Sequence, residues 1–217
     1  MRKEWYVFVA LMSAILPATP ARAAVELLNA NYGFEQAGAY GSTDPGPGWT
    51  QCGPGLLTVT KPDWTWEGKK SISMFSTADG VESIGSIIQT VNVPTGEYNL
   101  VFTGWTRGYN SNPSNFSWVR ADLFVDTNWV NAFEYERSDG SWYYGSDQWT
   151  GHVDSSLSLL VTQGVNGNAA PGVGVAESDN WHVWNNNDSG GEAPGLPAAV
   201  LLAVGAVVSC FIHRRKS

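Results

Sequence analysis

Cysteine is nearly missing: Cys52 and Cys210 are the only two in 217 residues. Cys52 falls in a part read below as exported and Cys210 at the inner end of an apolar terminal segment. The two therefore do not pair, and a disulfide framework is excluded. The body of the chain is left to its core, for which about 160 residues suffice. Basic residues are scarce too. Between Ala24 and Glu192 only Lys61, Lys69, Lys70, Arg107, Arg120 and Arg137 face nineteen Asp and Glu, a balance of about −13. Such a surface repels phosphates and anionic head groups, which excludes nucleic acid as a partner. Helix-period stretches and internal repeats are also lacking. So are the Gly-x-Ser-x-Gly and His-Glu-x-x-His motifs of hydrolases and zinc proteases.

What is present at the two ends sets the address. Arg2 and Lys3 precede an apolar stretch over residues 5–16, and Ala21-Arg22-Ala23 offers small residues to a signal peptidase. Residues 1–23 are expected to be a cleaved signal peptide. At the other end, residues 196–212 carry no charge and reach the length needed to cross a bilayer, and residues 213–217 are basic. The cationic cluster belongs on the cytoplasmic side, so the bulk of the chain faces outward. Residues 185–195 form a polar Gly/Asn linker that includes Glu192, Ala193 and Pro194.

Between these ends, residues 24–184 read as one all-β domain. Short alternating or β-branched runs recur between turn clusters, at residues 56–60, 71–75, 84–93, 98–105, 118–125, 129–135, 142–144, 157–162, 173–175 and 181–184. Pro94-Thr95-Gly96-Glu97 is a turn signal between two of them. The pattern predicts an antiparallel β-sandwich or jelly roll.

Catalytic candidates are few. His152 and His182 are isolated, and Cys52 is expected to be a half-buried thiol. A glycosidase needs two carboxylates about 5–10 Å apart. Glu134 and Glu136 would share one strand face at about 7 Å, but the run also fits a solvated face with Tyr135 pointing inward. Aromatics are abundant, with ten Trp after residue 23. Flat rings stack on the C–H face of a sugar. In loop-like, polar settings the candidates are Trp64 and Trp66, Trp142 with Tyr143 and Tyr144, and Trp149. Trp49, Trp105 and Trp118 are expected to supply core volume.

Several segments resemble a known family. Asn31-Tyr32-Gly33-Phe34-Glu35 with Gly48-Trp49, the run from Gln89 to Leu100 (QTVNVPTGEYNL) and Asp179-Asn180-Trp181-His182-Val183 are similar to the opening, middle and closing signatures of galactose-binding-like jelly rolls and carbohydrate-binding modules. Physically, Phe34 is expected to bury beneath the first strand while Gly33 relieves the chain where it bends, and strand alternation puts Val91 with Val93 and Tyr98 with Leu100 on faces that can fill the interior. The resemblance itself implies sugar binding and a structural calcium near the paired first and last strands, with Glu35 and Asp179 in matching places. Calcium takes six to eight oxygens, so loop carbonyls would complete the set. The tail resembles the PEP-CTERM-type sorting signal cut by an exosortase, with Glu192-Ala193-Pro194 where Pro-Glu-Pro is usual. Expected roles are therefore a non-catalytic surface or matrix protein, a calcium-dependent lectin-like protein, or a small secreted glycoside hydrolase.

Overall fold

The computed structural model describes residues 24–28, 31–60, 68–76, 82–112, 115–166 and 173–187. The signal, sorting and membrane segments lie outside them. Among the described residues no helix is long and apolar enough to cross a membrane. The described residues form eleven strands, in order β1 (Val25–Glu26), β2 (Trp49–Cys52), β3 (Thr58–Val59), β4 (Ile72–Ser76), β5 (Ser83–Asn92), β6 (Gly96–Asn110), β7 (Ser117–Val125), β8 (Asn128–Arg137), β9 (Asp139–Val153), β10 (Ser156–Val165) and β11 (Gly174–Asn185). They form two antiparallel sheets. The first runs β3-β4-β11-β6-β9 with β1 also paired to β11, and the second runs β2-β5-β10-β7-β8.

Period-2 alternation sets which residues fill the space between the sheets. On β7, Val119, Ala121, Leu123 and Val125 are buried, while Arg120 and Phe124 between them are half-exposed. Leu157, Leu159 and Val161 of β10 and Leu100 and Phe102 of β6 complete the core, and Tyr98 and Val91 join it as expected. The Tyr98 hydroxyl donates to the Pro94 carbonyl at 2.7 Å and locks the β5–β6 turn.

Several boundaries differ from the sequence reading. The runs at 173–175 and 181–184 are one strand, β11, whose register shifts between Asp179 and His182. That bulge adds a residue and turns Trp181 inward. Trp105 and Trp118 are half-buried on outer faces, not in the core; only Trp49 of the expected three is interior. Phe34 is fully buried as expected, but it takes the left-handed backbone itself, at φ 55°.

The β7–β8 connection is a two-residue hairpin turn with positive φ at Asp126 (47°) and Thr127 (72°). This is the primed turn that suits the twist of antiparallel strands, though Asn-Gly is its usual sequence. Asp126 is held there by what it binds. Its carboxylate accepts from the backbone N–H of Asp154 (2.6 Å), Ser155 (2.8 Å) and Ser156 (2.9 Å) in the β9–β10 turn. Those backbone donors, Asp154 foremost, hold its pKa at about 2.

Candidate functional site

The outer face of the first sheet carries a groove of about 230 Å³, lined by Arg107 and Tyr109 of β6, by Val175 and Glu177 of β11 and by Val173 just before it. Strand pairing builds it. Arg107 lies opposite Glu177 and Tyr109 opposite Val175, while Ala176, between the last two, joins the core. Across β4, Glu177 faces Ser73.

Glu177 is the unusual member. Its side chain is 1 % exposed. Oε1 accepts from the Ser71 hydroxyl, whereas among the described residues Oε2 has no hydrogen-bond partner. Arg107 Nη1 stands 3.6 Å from Oε2, inside ion-pair range but too far for a hydrogen bond. Burial pushes the carboxyl up to about 7, against the opposing pull of Ser71, Arg107 and Thr60. Arg107 is aimed by a 2.7 Å bond from Nε to the Gly140 carbonyl. A buried oxygen left without a partner costs about 1–3 kcal/mol. A ligand hydroxyl in the groove would relieve it.

Beside the groove stands an aromatic wall. Trp142 of β9 pairs in register with Arg107, and Tyr144 with Trp105, so both project from the same outer face. The rings of Trp105 and Tyr144 lie 5.3 Å apart at 58°. Trp142 and Tyr144 are therefore not loop residues; they sit inside a fifteen-residue strand. Tyr143 and Trp149, on alternate positions, do not join them. Tyr143 donates to Asp139 at 2.6 Å, and Trp149 packs against the core. Trp64, Trp66, Glu192, Ala193 and Pro194 lie outside the described residues.

The other candidates are placed as follows. Glu134 and Glu136 are exposed on the outer face of the second sheet, and Glu134 stands 3.6 Å from Arg120. Tyr135 points inward, edge-on to Phe133 at 5.9 Å. His152 is exposed and bonds Glu97 at 3.0 Å, which raises its pKa. His182 is bound by Glu26 at 2.5 Å and lies between the rings of Tyr32 and Trp184. Cys52 is a half-buried free thiol whose pKa burial raises.

Asp179 lies beside the turn that carries Glu35, whereas the Glu35 carboxylate is directed to the segment at residues 68–70. Asp179 is fully buried, and its Oδ1 lies 3.8 Å from where a Cβ on Gly33 would be. Glu35 follows two residues later, its Oε1 accepting from the N–H of Lys69 (2.5 Å) and Lys70 (3.0 Å). β1 pairs with β11 as the resemblance implied. Oxygen donors of this kind suit calcium. Among the described residues no group of three or more His, Cys, Asp or Glu is gathered around one point.

Sequence reasoning missed Glu177, Arg107 and Tyr109. A signal existed: Glu177 interrupts the run Gly172-Val173-Gly174-Val175-Ala176 directly before the Asp179 signature. A carboxylate in so small and apolar a strand needs either solvent or partners.

No protein-family model matches the chain, and neither does any curated protein. Solved structures do. The chain is similar to TmCBM61, solved in complex with β-1,4-galactotriose, at 16 % identity and a TM-score of 0.55, over 74 % of this chain and 99 % of that one. A cyclase from Fischerella sp. TAU matches at 16 % identity and a TM-score of 0.50, over 75 % and 98 %. The CBM22-1 xylan-binding domain of Paenibacillus barcinonensis Xyn10C matches at 17 % and 0.46, over 76 % and 97 %. At these identities the first two likenesses are ones of fold, shared by a binding module and by a cyclase.

Proposed function

We propose that this chain is a non-catalytic carbohydrate-binding protein of the cell surface or extracellular matrix, with the groove at Glu177 as its sugar site. The observation that carries the reading is the buried Oε2 of Glu177, without a hydrogen-bond partner among the described residues, in a groove lined by Arg107 and Tyr109 with Trp142 beside it. Sugars need this combination. Aromatic faces take the C–H surface, and a few fixed polar groups take the hydroxyls. The likeness of fold to a module solved with galactotriose supports the same class of ligand.

The test is binding of the protein to β-1,4-galactan, xylan and a wider set of polysaccharides, with calcium and with chelator. Trp142→Ala is expected to weaken binding about tenfold, equivalent to about 1.4 kcal/mol, with its melting transition unchanged. Wild-type affinity in that variant on every polymer would remove the groove from the site. A structural calcium held by Glu35 and Asp179 would add stability only to the folded state. Chelator is then expected to lower the melting temperature, and an unchanged curve would dispose of the ion.

The termini support export and retention at the envelope. We read 192–194 as a sorting motif ahead of a membrane segment at 196–212, handled by an exosortase-type enzyme. The mass of the protein isolated from its own cells is expected to lack residues 1–23 and the tail from about Pro194. An intact tail would leave plain membrane anchoring.

A further inference from the structure

The outer face of the second sheet carries a construction that the groove does not use. Trp118, Arg120 and Asp122 alternate outward along β7, and Trp129 joins them from β8. Trp129 is 56 % exposed, yet it is not loose: its Nε1 donates to Asp122 Oδ1 at 2.8 Å. Asp122, itself buried, also receives Arg120, from Nε to both oxygens at 3.0 Å and from Nη2 at 2.8 Å. Glu134 closes the cluster 3.6 Å from Arg120 Nη1. At the other end, Trp118 lies over Gly164 of β10, where a Cβ would come within 2.2 Å of the indole. The missing side chain lets the ring lie down on the sheet. Hydroxyl pairs continue the same face, Ser86 with Thr162 at 3.0 Å and Thr90 with Ser158 at 2.7 Å.

An exposed indole costs little to stack upon when its orientation is already fixed, because few rotamers remain to be lost. Asp122 fixes Trp129, and Gly164 makes room for Trp118. The five residues from Trp118 to Asp122 span about 13 Å of strand, so the rings address a chain laid along β7 rather than a single sugar. Charge selects the chain. Arg120 is balanced by Asp122 and outweighed once Glu134 is counted, on a body of about −13, so a polyanion is repelled. We propose that this face is a second polysaccharide-binding surface, on the side of the sandwich opposite the groove, and that its occupant is an extended neutral glycan. The proposal stands on side chains separate from the Glu177 groove.

The test is retardation of the full-length protein in native gels containing galactan, xylan, mannan or mixed-linkage glucan, with polygalacturonate as the polyanion. Trp142→Ala serves as background to disable the groove. Retardation by a neutral polymer is expected to persist in that background. It should fall about tenfold on adding Trp129→Ala, and again on adding Trp118→Ala. Trp129 is the decisive position, since removing an exposed ring leaves the core whole. Three results would each overturn the proposal: no retardation of the wild type by any neutral polymer, unchanged retardation after loss of both indoles, or stronger retardation by polygalacturonate. If Trp142→Ala has no effect while Trp129→Ala abolishes retardation, the groove fails as a site and this face stands.

Discussion

Trp181→Ala is expected to destabilise the domain by about 3–5 kcal/mol, the range for large-to-small changes at buried aromatic sites. Its indole is fully buried and stacks on Phe133 at 5.8 Å and 23°, and Phe133 in turn stacks on Phe102 at 5.4 Å. Gly104 faces the same ring, with no room for a Cβ. The three rings thus bridge β11, β8 and β6, joining both sheets across the core. Against a total of about 5–15 kcal/mol for a domain, the loss is a large fraction. Trp181→Phe should cost less than half as much. It keeps an aromatic surface and removes a buried Nε1 that has no hydrogen bond among the described residues. Urea unfolding followed by far-UV circular dichroism measures both variants. A loss below about 1 kcal/mol for alanine would show that the bulge, not the ring, holds the sheets together.

The second large effect is one of pH. Glu177 titrates at about 7 in the fold, against 4.5 for an ordinary glutamate, because burial penalises its charged form. An acid whose folded pKa is raised favours folding while it stays protonated. Stability is therefore expected to be greatest near pH 4.5, to fall as pH rises toward 7, and to level off above it. A difference of this size corresponds to roughly 3 kcal/mol. His152, whose pKa the Glu97 hydrogen bond raises, contributes in the same direction, its share being lost as pH rises through its folded pKa. The comparison that isolates Glu177 is accordingly Glu177→Gln. The amide still accepts from Ser71 but does not ionise, so melting midpoints from pH 5 to 8 should fall less steeply than in the wild type. The variant should be the more stable protein at pH 8. Parallel profiles would mean that Glu177 stays charged and that Arg107 fully compensates it.

The strands were legible where polar and apolar residues alternate along the sequence, as in 118–125, whose Val119, Ala121, Leu123 and Val125 fill the core. In 71–75 the sequence alternates too, yet Ser71 and Ser73 are buried along with Ile72 and Met74, so that strand is covered on both faces. The glycan candidates were legible in part. Trp142 and Tyr144 could be picked out as aromatics in a polar run, but not as neighbours of a buried acid. That acid depends on Ser71, 106 residues away in the chain. Trp105 and Trp118 show the opposite failure: a tryptophan's size suggests the core, while the face it occupies depends on register.

By itself, the sequence determined that the domain is all-β, acidic and without disulfides, because periodicity, charge and cysteine count are properties of the chain alone. Only the tertiary structure decided which face each aromatic occupies. A bulge of one residue at 179–182 is enough to turn Trp181 inward. The groove too belongs to the fold. Its floor exists only where β4, β6 and β11 lie side by side, and there burial, rather than residue type, makes Glu177 a group able to seek a ligand.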